Sequence, residues 1–506
     1  MQKLVSYEDF GAKGDGVADD SAAIQAAHAY ANAHALPVKS KAGAAYNLGS
    51  KPFTATIATD TDWTDSRFFI DDSDVSARKV PLFQVIGGQT DDAAKSAVQK
   101  LKALLTSLIK KQKAIPLDSP LPCDFYCYIE NDGVKQYIRK GPNQNSGVAQ
   151  RDCFIIRRDG SIDGDIDWDY SHLTTAEIIP IDEAMLLLQG GVFETKANSI
   201  LQENGYDYWH RHITIRRSNV TVCGLVHYIT GETSAGQPYA GFLHASKCAN
   251  LTVEDCFATG HKIYSTIGAA GCPVQMGSYD YLFDSIVHLA IIRCRQNGIH
   301  DKTRWGVIAT NFCKDTLLDG CIFSRMDTHQ GVSSGYTIRR CEFGWMGLNA
   351  IGKGLLSIED TTFTGGSMFN LREDYGSTWN GEVVIKNCRW NARFDGYNAN
   401  KPVLMRCRND GTHDFGYPCS MPRKLTIDGL FVNDSPAPPE YAGLTIFFNP
   451  DADEDLASAP EQKPFPYKQT EELEIKNLST ASGFPCKISD NPALSARFAN
   501  YTPSRQ

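Results

Sequence analysis

From about Val220 onward the chain writes one pattern repeatedly, a short apolar strand closed by Cys, Leu or Thr. Leu251-Thr252-Val253-Glu254-Asp255-Cys256 is followed by Leu289-Ala290-Ile291-Ile292-Arg293-Cys294 and Thr316-Leu317-Leu318-Asp319-Gly320-Cys321. Tyr336 to Cys341, Leu356 to Thr361, Val383 to Cys388, Leu425 to Leu430 and Leu473 to Leu478 continue the series. Where no loop intervenes the runs recur every 20 to 22 residues or so, the spacing of stacked solenoid coils. A single coil cannot bury its apolar side, whereas stacking turns the repeated Val, Ile, Leu and Cys into internal ladders. A leucine-rich repeat needs a denser Leu pattern with an Asn ladder, and a β-propeller needs about twice the period. The pattern therefore predicts an all-β chain, a right-handed parallel β-helix.

The first fifty residues read differently. Tyr7 to Asp20 is a Gly/Asp-rich turn segment, and Ser21 to Ala33 reads as an Ala-rich helix with Asp20 or Ser21 as N-cap. A solenoid needs such a cap at its open end. The run Asp9-Phe10-Gly11-Ala12-Lys13-Gly14-Asp15-Gly16 with Asp19-Asp20 closely resembles the opening motif of pectate-lyase superfamily proteins, which include polygalacturonase-like hydrolases and phage tailspike depolymerases. The resemblance implies a fold and a substrate class, carbohydrate polymers, but no particular bond. From 51 to 210 the coil pattern gives way to an irregular insertion with early coils. Within it Asp91 to Ala114 reads as a helix with Leu101, Leu104, Leu105 and Leu108 on one side. Arg139 to Gly147 is a polar, turn-rich loop suited to overhang a groove. The expected organisation is a cap and first coil over 1–50, the insertion over 51–210, and the solenoid core over 211–506, in one continuous domain.

Composition narrows the function. A net charge of −9 and a pI near 5.8 speak against nucleic acid, whose binders carry a surplus of Lys and Arg. No run approaches the roughly 18 apolar residues that span a bilayer, so no membrane partner is expected. The 15 cysteines lack paired CxxC spacing and recur at one register of the coil, which predicts reduced, inward-facing thiols. No signal peptide is visible at Met1 to Phe10. A secreted, periplasmic or virion-associated protein, monomeric or homotrimeric, is the expectation that the resemblance adds.

Aligning the coils on Cys321, Cys341 and Thr361 brings three following segments side by side. If each is a strand, Met326, Thr328, Met346, Leu348, Phe369 and Leu371 point inward, while Arg325, Asp327, His329, Asn349, Asn370 and Arg372 share the outer face. The preceding coil adds His300, Asp301, Lys302 and Arg304, and the following one adds Asp374 and Tyr375. Trp345 and Trp379 stand beside them, His261 and Tyr264 extend the groove one coil upstream, and His413 and Tyr417 belong to a long loop that folds back. His227 and His244, some coils away, read better as structural residues. The catalytic set is thus His329, Arg372, Asp327, Arg325, His300, Tyr375, Asp301 and Asp374; the others serve the sugar.

Two reactions fit. In β-elimination from a uronide a cation neutralises the carboxylate, a base takes the C5 proton and an acid protonates the leaving oxygen; Arg325, Arg372, His300, His329 and Tyr375 supply these parts. Hydrolysis instead needs two carboxyls, offered by Asp301, Asp327, Glu373 and Asp374. The Asn-Thr-Asp, Gly-His-Gly and Arg-Ile-Lys motifs of polygalacturonases are not found in the coils, nor is the calcium-binding carboxylate cluster of pectate lyases. The lyase is the preferred reading, the hydrolase the alternative, and a non-catalytic carbohydrate-binding spike the third. No cofactor is expected, a divalent cation such as calcium being left open. His210-Arg211-His212 offers only two ligands and is not read as a metal site.

Overall fold

The computed structural model describes residues 4–73, 78–88, 91–141, 146–200, 207–233, 235–267, 273–395, 402–451 and 463–499. The chain divides into two compact units, Met1–Ile129 with Asp152–Ala309 and Glu130–Arg151 with Thr310–Gln506. Both are built of parallel β-coils, so the right-handed parallel β-helix with an N-terminal helical cap that the repeat predicted is the fold observed.

In the second unit the alternating runs stack in register. Leu318 pairs with Ile338, Ile338 with Ile358, Ile358 with Ile385, Ile385 with Ile427 and Ile427 with Ile475. All six are buried, and truncating one to Ala removes about 2–5 kcal/mol of transfer and cavity energy. The first unit repeats the device with Leu188, Val222, Val253 and Ile291. The residue before each closing Cys, Thr or Leu sits in the left-handed region: Asp255 (φ 52°), Arg293 (51°), Gly320 (65°), Arg340 (54°), Asp360 (48°), Asn387 (49°), Gly429 (85°) and Asn477 (53°). This single reversal turns the chain through the corner of the coil, and Gly, Asn and Asp bear it at least cost. The thiols that follow pack inside. Among the described cysteines all are free, and all are buried except Cys123, Cys223 and Cys486, which are half-buried.

The N-terminal helix Ser21–His34 buries Ile24, Ala27, His28 and Ala31, a face of mostly small residues that lets it lie close on the first coils. Asp20 occupies the N-cap position without a side-chain cap bond. Its carboxylate accepts instead from the Lys13 and Gly14 amides at 2.6 and 3.2 Å, tying the Gly/Asp turn to the helix start. The second helix, Asp92–Leu104, is capped by Asp91, which accepts from the Ala94 amide. It ends ten residues short of the expected Ala114, because the following chain is taken up by bridges from Leu108 to Tyr170 and from Ala114 to Ser161. Leu101, Leu105 and Leu108 pack with Phe125, Ile129, Phe154 and Ile156 in a small core of the insertion, whereas Leu104 is exposed. Among the described residues no helix is long and apolar enough to cross a membrane.

Candidate active site

The outer face of the second unit carries the site. The strand Ile322–Asp327 pairs with Glu342–Ala350 through Phe323 opposite Phe343 and then, past a bulge, through Arg325 opposite Gly347, Met326 opposite Leu348 and Asp327 opposite Asn349. The next coils continue both columns: Leu348, Phe369 and Met405 inside, Asn349, Asn370 and Arg406 outside. Strand parity thus sorts Arg325, Asp327, Asn349 and Asn370 from Met326, Leu348, Phe369 and Leu371 as the sequence predicted. Met346 departs from it: it lies in the bulge, half-buried, and lines the groove.

Asp327 is the hub, although it is covered rather than solvated, its side chain only 2% exposed. Its Oδ2 accepts from Arg325 Nη2 at 2.6 Å, and Arg372 Nη1 reaches both carboxylate oxygens at 3.0 Å. His329 Nε2 donates to Oδ2 at 3.1 Å, and the His329 backbone amide donates to Asn311 Oδ1. Arg372 stands at the start of the short 3-10 turn Glu373–Tyr375 and turns its other edge to Asp374, with Nε and Nη2 at 3.0 and 2.7 Å. Arg139 Nε approaches the same Asp374 carboxylate at 3.0 Å. The Tyr375 ring lies nearly parallel to the His329 ring at 5.9 Å, with the Arg139 and Arg372 guanidinium groups 5.8 and 5.6 Å from its centre.

Two segments of the same unit roof this cluster. From Glu130–Arg151, Tyr137 packs with Ile351 and Tyr375, and Lys140 pairs with Asp410. From the loop after 406, Tyr417 donates its phenol to the Tyr375 carbonyl and stacks obliquely on Tyr137 at 4.7 Å. His413 Nε2 donates to the Ile138 carbonyl at 3.1 Å. Tyr417 and His413 are therefore roof anchors that also line a cleft of their own with Phe415 and Phe465.

The charges set the protonation states. Burial alone raises a carboxyl group, but Arg325, Arg372 and His329 outweigh it and hold Asp327 well below its ordinary value. Asp374 is likewise held down against burial by Arg372 and Arg139, and Asp410, against burial, by Lys140 to about 2. Burial and the nearby Arg372 lower His329 below the ordinary imidazole value in spite of Asp327. Near neutral pH His329 is thus an uncharged imidazole whose Nε2 proton points at an ionised carboxylate, leaving the lone pair on Nδ1. Burial raises the Tyr375 phenol, which stays protonated.

Two clefts flank the cluster. Asp374 lines one of about 200 Å³ with Lys140, Glu373, Arg408, Asn409 and Asp410. Asn349, the register partner of Asp327, lines the other, of about 340 Å³, with Trp345, Ser367, Asn370 and Arg406. Asn370 Nδ2 donates to Asn349 Oδ1 at 2.9 Å. Trp379, expected beside the sugar, is instead a fully buried core residue whose Nε1 donates to the Gly354 carbonyl, because it starts a strand in register with Gly352.

The remaining candidates belong to the first unit. His300, Asp301 and Lys302 are exposed in the turn between Arg295–Gln296 and Val307–Asn311. There Asp301 closes the turn on Thr303 and pairs with Arg304, whose Nη1 donates to the Gly260 carbonyl. His261 is buried, hydrogen-bonded to Glu232 at 2.7 Å and stacked on Tyr239, so it is structural rather than a sugar contact. The side chain of Tyr264 lies outside the described residues. Sequence reasoning missed Arg408 and Asp410. Their signal was the strand Val403–Arg406, one further coil whose closing Cys407 was there to be aligned.

No family model matches the chain, and neither does any curated protein sequence. Among solved structures it is similar to the tailspike protein gp49 of Pseudomonas phage LKA1, at 10% identity over 94% of this chain and 81% of that one, with a TM-score of 0.47. The surface adhesin PfbA of Streptococcus pneumoniae matches at 10% identity over 96% and 100%, TM-score 0.43. A hyperthermoactive exopolygalacturonase of Thermotoga maritima matches at 10% identity over 95% and 92%, TM-score 0.32. Likeness of this degree leaves the reading of function to the site's own geometry.

Proposed function

We propose that the protein acts on an acidic polysaccharide and cleaves a uronic-acid-containing chain by β-elimination at the His329 cluster. One observation carries this reading: His329 is held neutral on an ionised Asp327, while Asp374, bonded to the same Arg372, and Asp410, which shares a cleft with Asp374, are held ionised as well. A glycosidase needs a carboxyl whose pKa is raised so that it can donate a proton. These three are driven the other way. Elimination needs instead a neutral base, a weak acid and a cation. His329 takes the C5 proton, the electron pair forms the C4–C5 double bond, the C4–O bond breaks, and Tyr375 gives its proton to the departing oxygen.

Arg372 does not meet the substrate's charge in this reading, since Asp327 and Asp374 occupy both its edges. It positions the carboxylate that orients His329. Arg408 is the better partner for a uronate: it lines the cleft that Asp374 shares, and among the described residues its guanidinium has no ion pair. Trp345, Asn349 and Asn370 in the second groove offer the aromatic face and amides that hold neighbouring sugars. A secreted, periplasmic or virion-associated setting goes with a polymeric substrate, and the site, contained in one chain, serves a monomer or a homotrimer alike.

Incubation with a panel of uronate polymers, followed in the ultraviolet, tests the reaction. An unsaturated product is expected. New reducing ends without that chromophore would overturn elimination in favour of hydrolysis, and tight binding with no product would favour the spike.

A further inference from the structure

A second constellation of imidazoles lies in the first unit. His210 and His212 lead into the strand Ile213–Ile215, and His244 comes from the neighbouring coil, where Leu243 pairs with Ile213 and His244 with Thr214. The ring centres are 5.2 Å apart for His210 and His212, 5.2 Å for His212 and His244, and 6.1 Å for His210 and His244. One ring nitrogen from each lies within 4.8 Å of the others. Arg211 between the first two is fully buried, with Nε on the equally buried Asp72 at 2.6 Å and Nη2 on the Gly49 carbonyl. That anchor holds the segment, and alternation along an extended chain turns His210 and His212 to the opposite side together.

His212 has a hydrogen bond with the Gly241 backbone, but it and His244 each keep one ring nitrogen unmet. His212 is 3% exposed, and its Nδ1, like that of His244, is buried without a hydrogen-bond partner among the described residues. Leaving such a nitrogen unmet is costly. Burial and the neighbouring imidazoles hold His212 well below its ordinary pKa and His244 at about 4, and burial lowers His210. Lys79 and Asp207 face His210 and Arg216 faces His244, two cations to one carboxylate around the three rings. Three neutral imidazoles with no thiolate and no carboxylate among them suit a borderline divalent ion, whereas calcium and magnesium take oxygen ligands. Metal–nitrogen bonds of about 2.0–2.1 Å bring tetrahedral nitrogens to about 3.4 Å, within a small rotation of these rings.

We propose that His210, His212 and His244 form a three-histidine site for a divalent transition ion of the zinc class, with water completing the tetrahedron. The ion clamps the 210–215 segment to the adjacent coil, and because it binds the folded chain alone it stabilises it.

The test is titration of the full chain, stripped by chelator, with Zn²⁺ alone and with Co²⁺ alone, the latter read by its visible absorption. One equivalent per chain is expected, without a thiolate charge-transfer band, together with a higher thermal midpoint under Zn²⁺. His210→Ala and His244→Ala, both on half-buried rings and checked for folding by circular dichroism, lose that equivalent or bind it at least about tenfold more weakly. Substituting the exposed His172 by Ala leaves binding unchanged. Absence of stoichiometric uptake by the wild-type chain would overturn the site, as would uptake that survives in both variants, which would place the ion on the cysteines.

Discussion

Asp327 gathers two guanidinium groups and an imidazole on one covered carboxylate, and its replacement is expected to act on stability before chemistry. Asp327→Asn leaves Arg325 and Arg372 facing a neutral amide, and breaking a buried ion pair from one side costs about 3–5 kcal/mol; denaturant unfolding of the variant against wild type checks this. The pH dependence of kcat/KM isolates the base. Because His329 titrates below its ordinary value, its neutral form persists as pH falls, and the acid limb of the profile is expected below about 6.5, the unperturbed imidazole value. A limb at or above that value would contradict the arrangement. Much of this was legible in the sequence, since parity along Arg325-Met326-Asp327-Thr328-His329 separates polar from apolar side chains. Which cation answers which carboxylate was not. Arg372 looks like a free substrate-binding cation until Asp327 and Asp374 are seen on its two edges.

At the scale of elements, the strand-and-corner unit was legible because both its marks are local, a short apolar run and a closing Cys. The left-handed corner is the part that carries strain. Asp360 is exposed, with φ 48°, so Asp360→Val is expected to lower stability by about 1–2 kcal/mol through the backbone alone, while Asp360→Gly stays near wild type; thermal midpoints of the pair decide it. The roof was less legible. Tyr137 and Tyr417 meet over Tyr375 from segments without any period, and contacts between residues hundreds of positions apart leave no trace in local pattern. Tyr417→Phe removes the bond to the Tyr375 carbonyl and is expected to loosen the roof, lowering turnover more than it lowers the thermal midpoint. The bulge that exposes Met346 and the early end of the helix at Leu104 also escaped sequence reasoning, each being set by what the neighbouring coil or segment pairs with.

For the molecule as a whole, the ladders explain why the 14 described cysteines are free: most of their thiols are buried and pack as small apolar groups. Titration after denaturation, with and without reductant, is expected to give nearly equal thiol counts. Acid stability follows from the buried imidazoles. His28 is pushed down to about 3, and His212, His227 and His244 are lowered too, by burial first. The unfolded chain binds protons at these positions that the folded chain refuses, so stability rises with pH up to about 6.5 and falls below it, by roughly 1.4 kcal/mol per pH unit for each such group. His261, raised by Glu232 against burial, offsets part of one. Thermal midpoints between pH 7 and pH 5 measure the net slope. The central claim, elimination by a neutral His329 at a cluster of ionised carboxylates, meets its most direct test in the initial rate at which unsaturated ends appear on an accepted uronate polymer. His329→Ala, with its solenoid intact, is expected to form them on the order of a hundredfold more slowly than wild type. Near-normal formation by the folded variant would contradict the account and remove His329 from the chemistry.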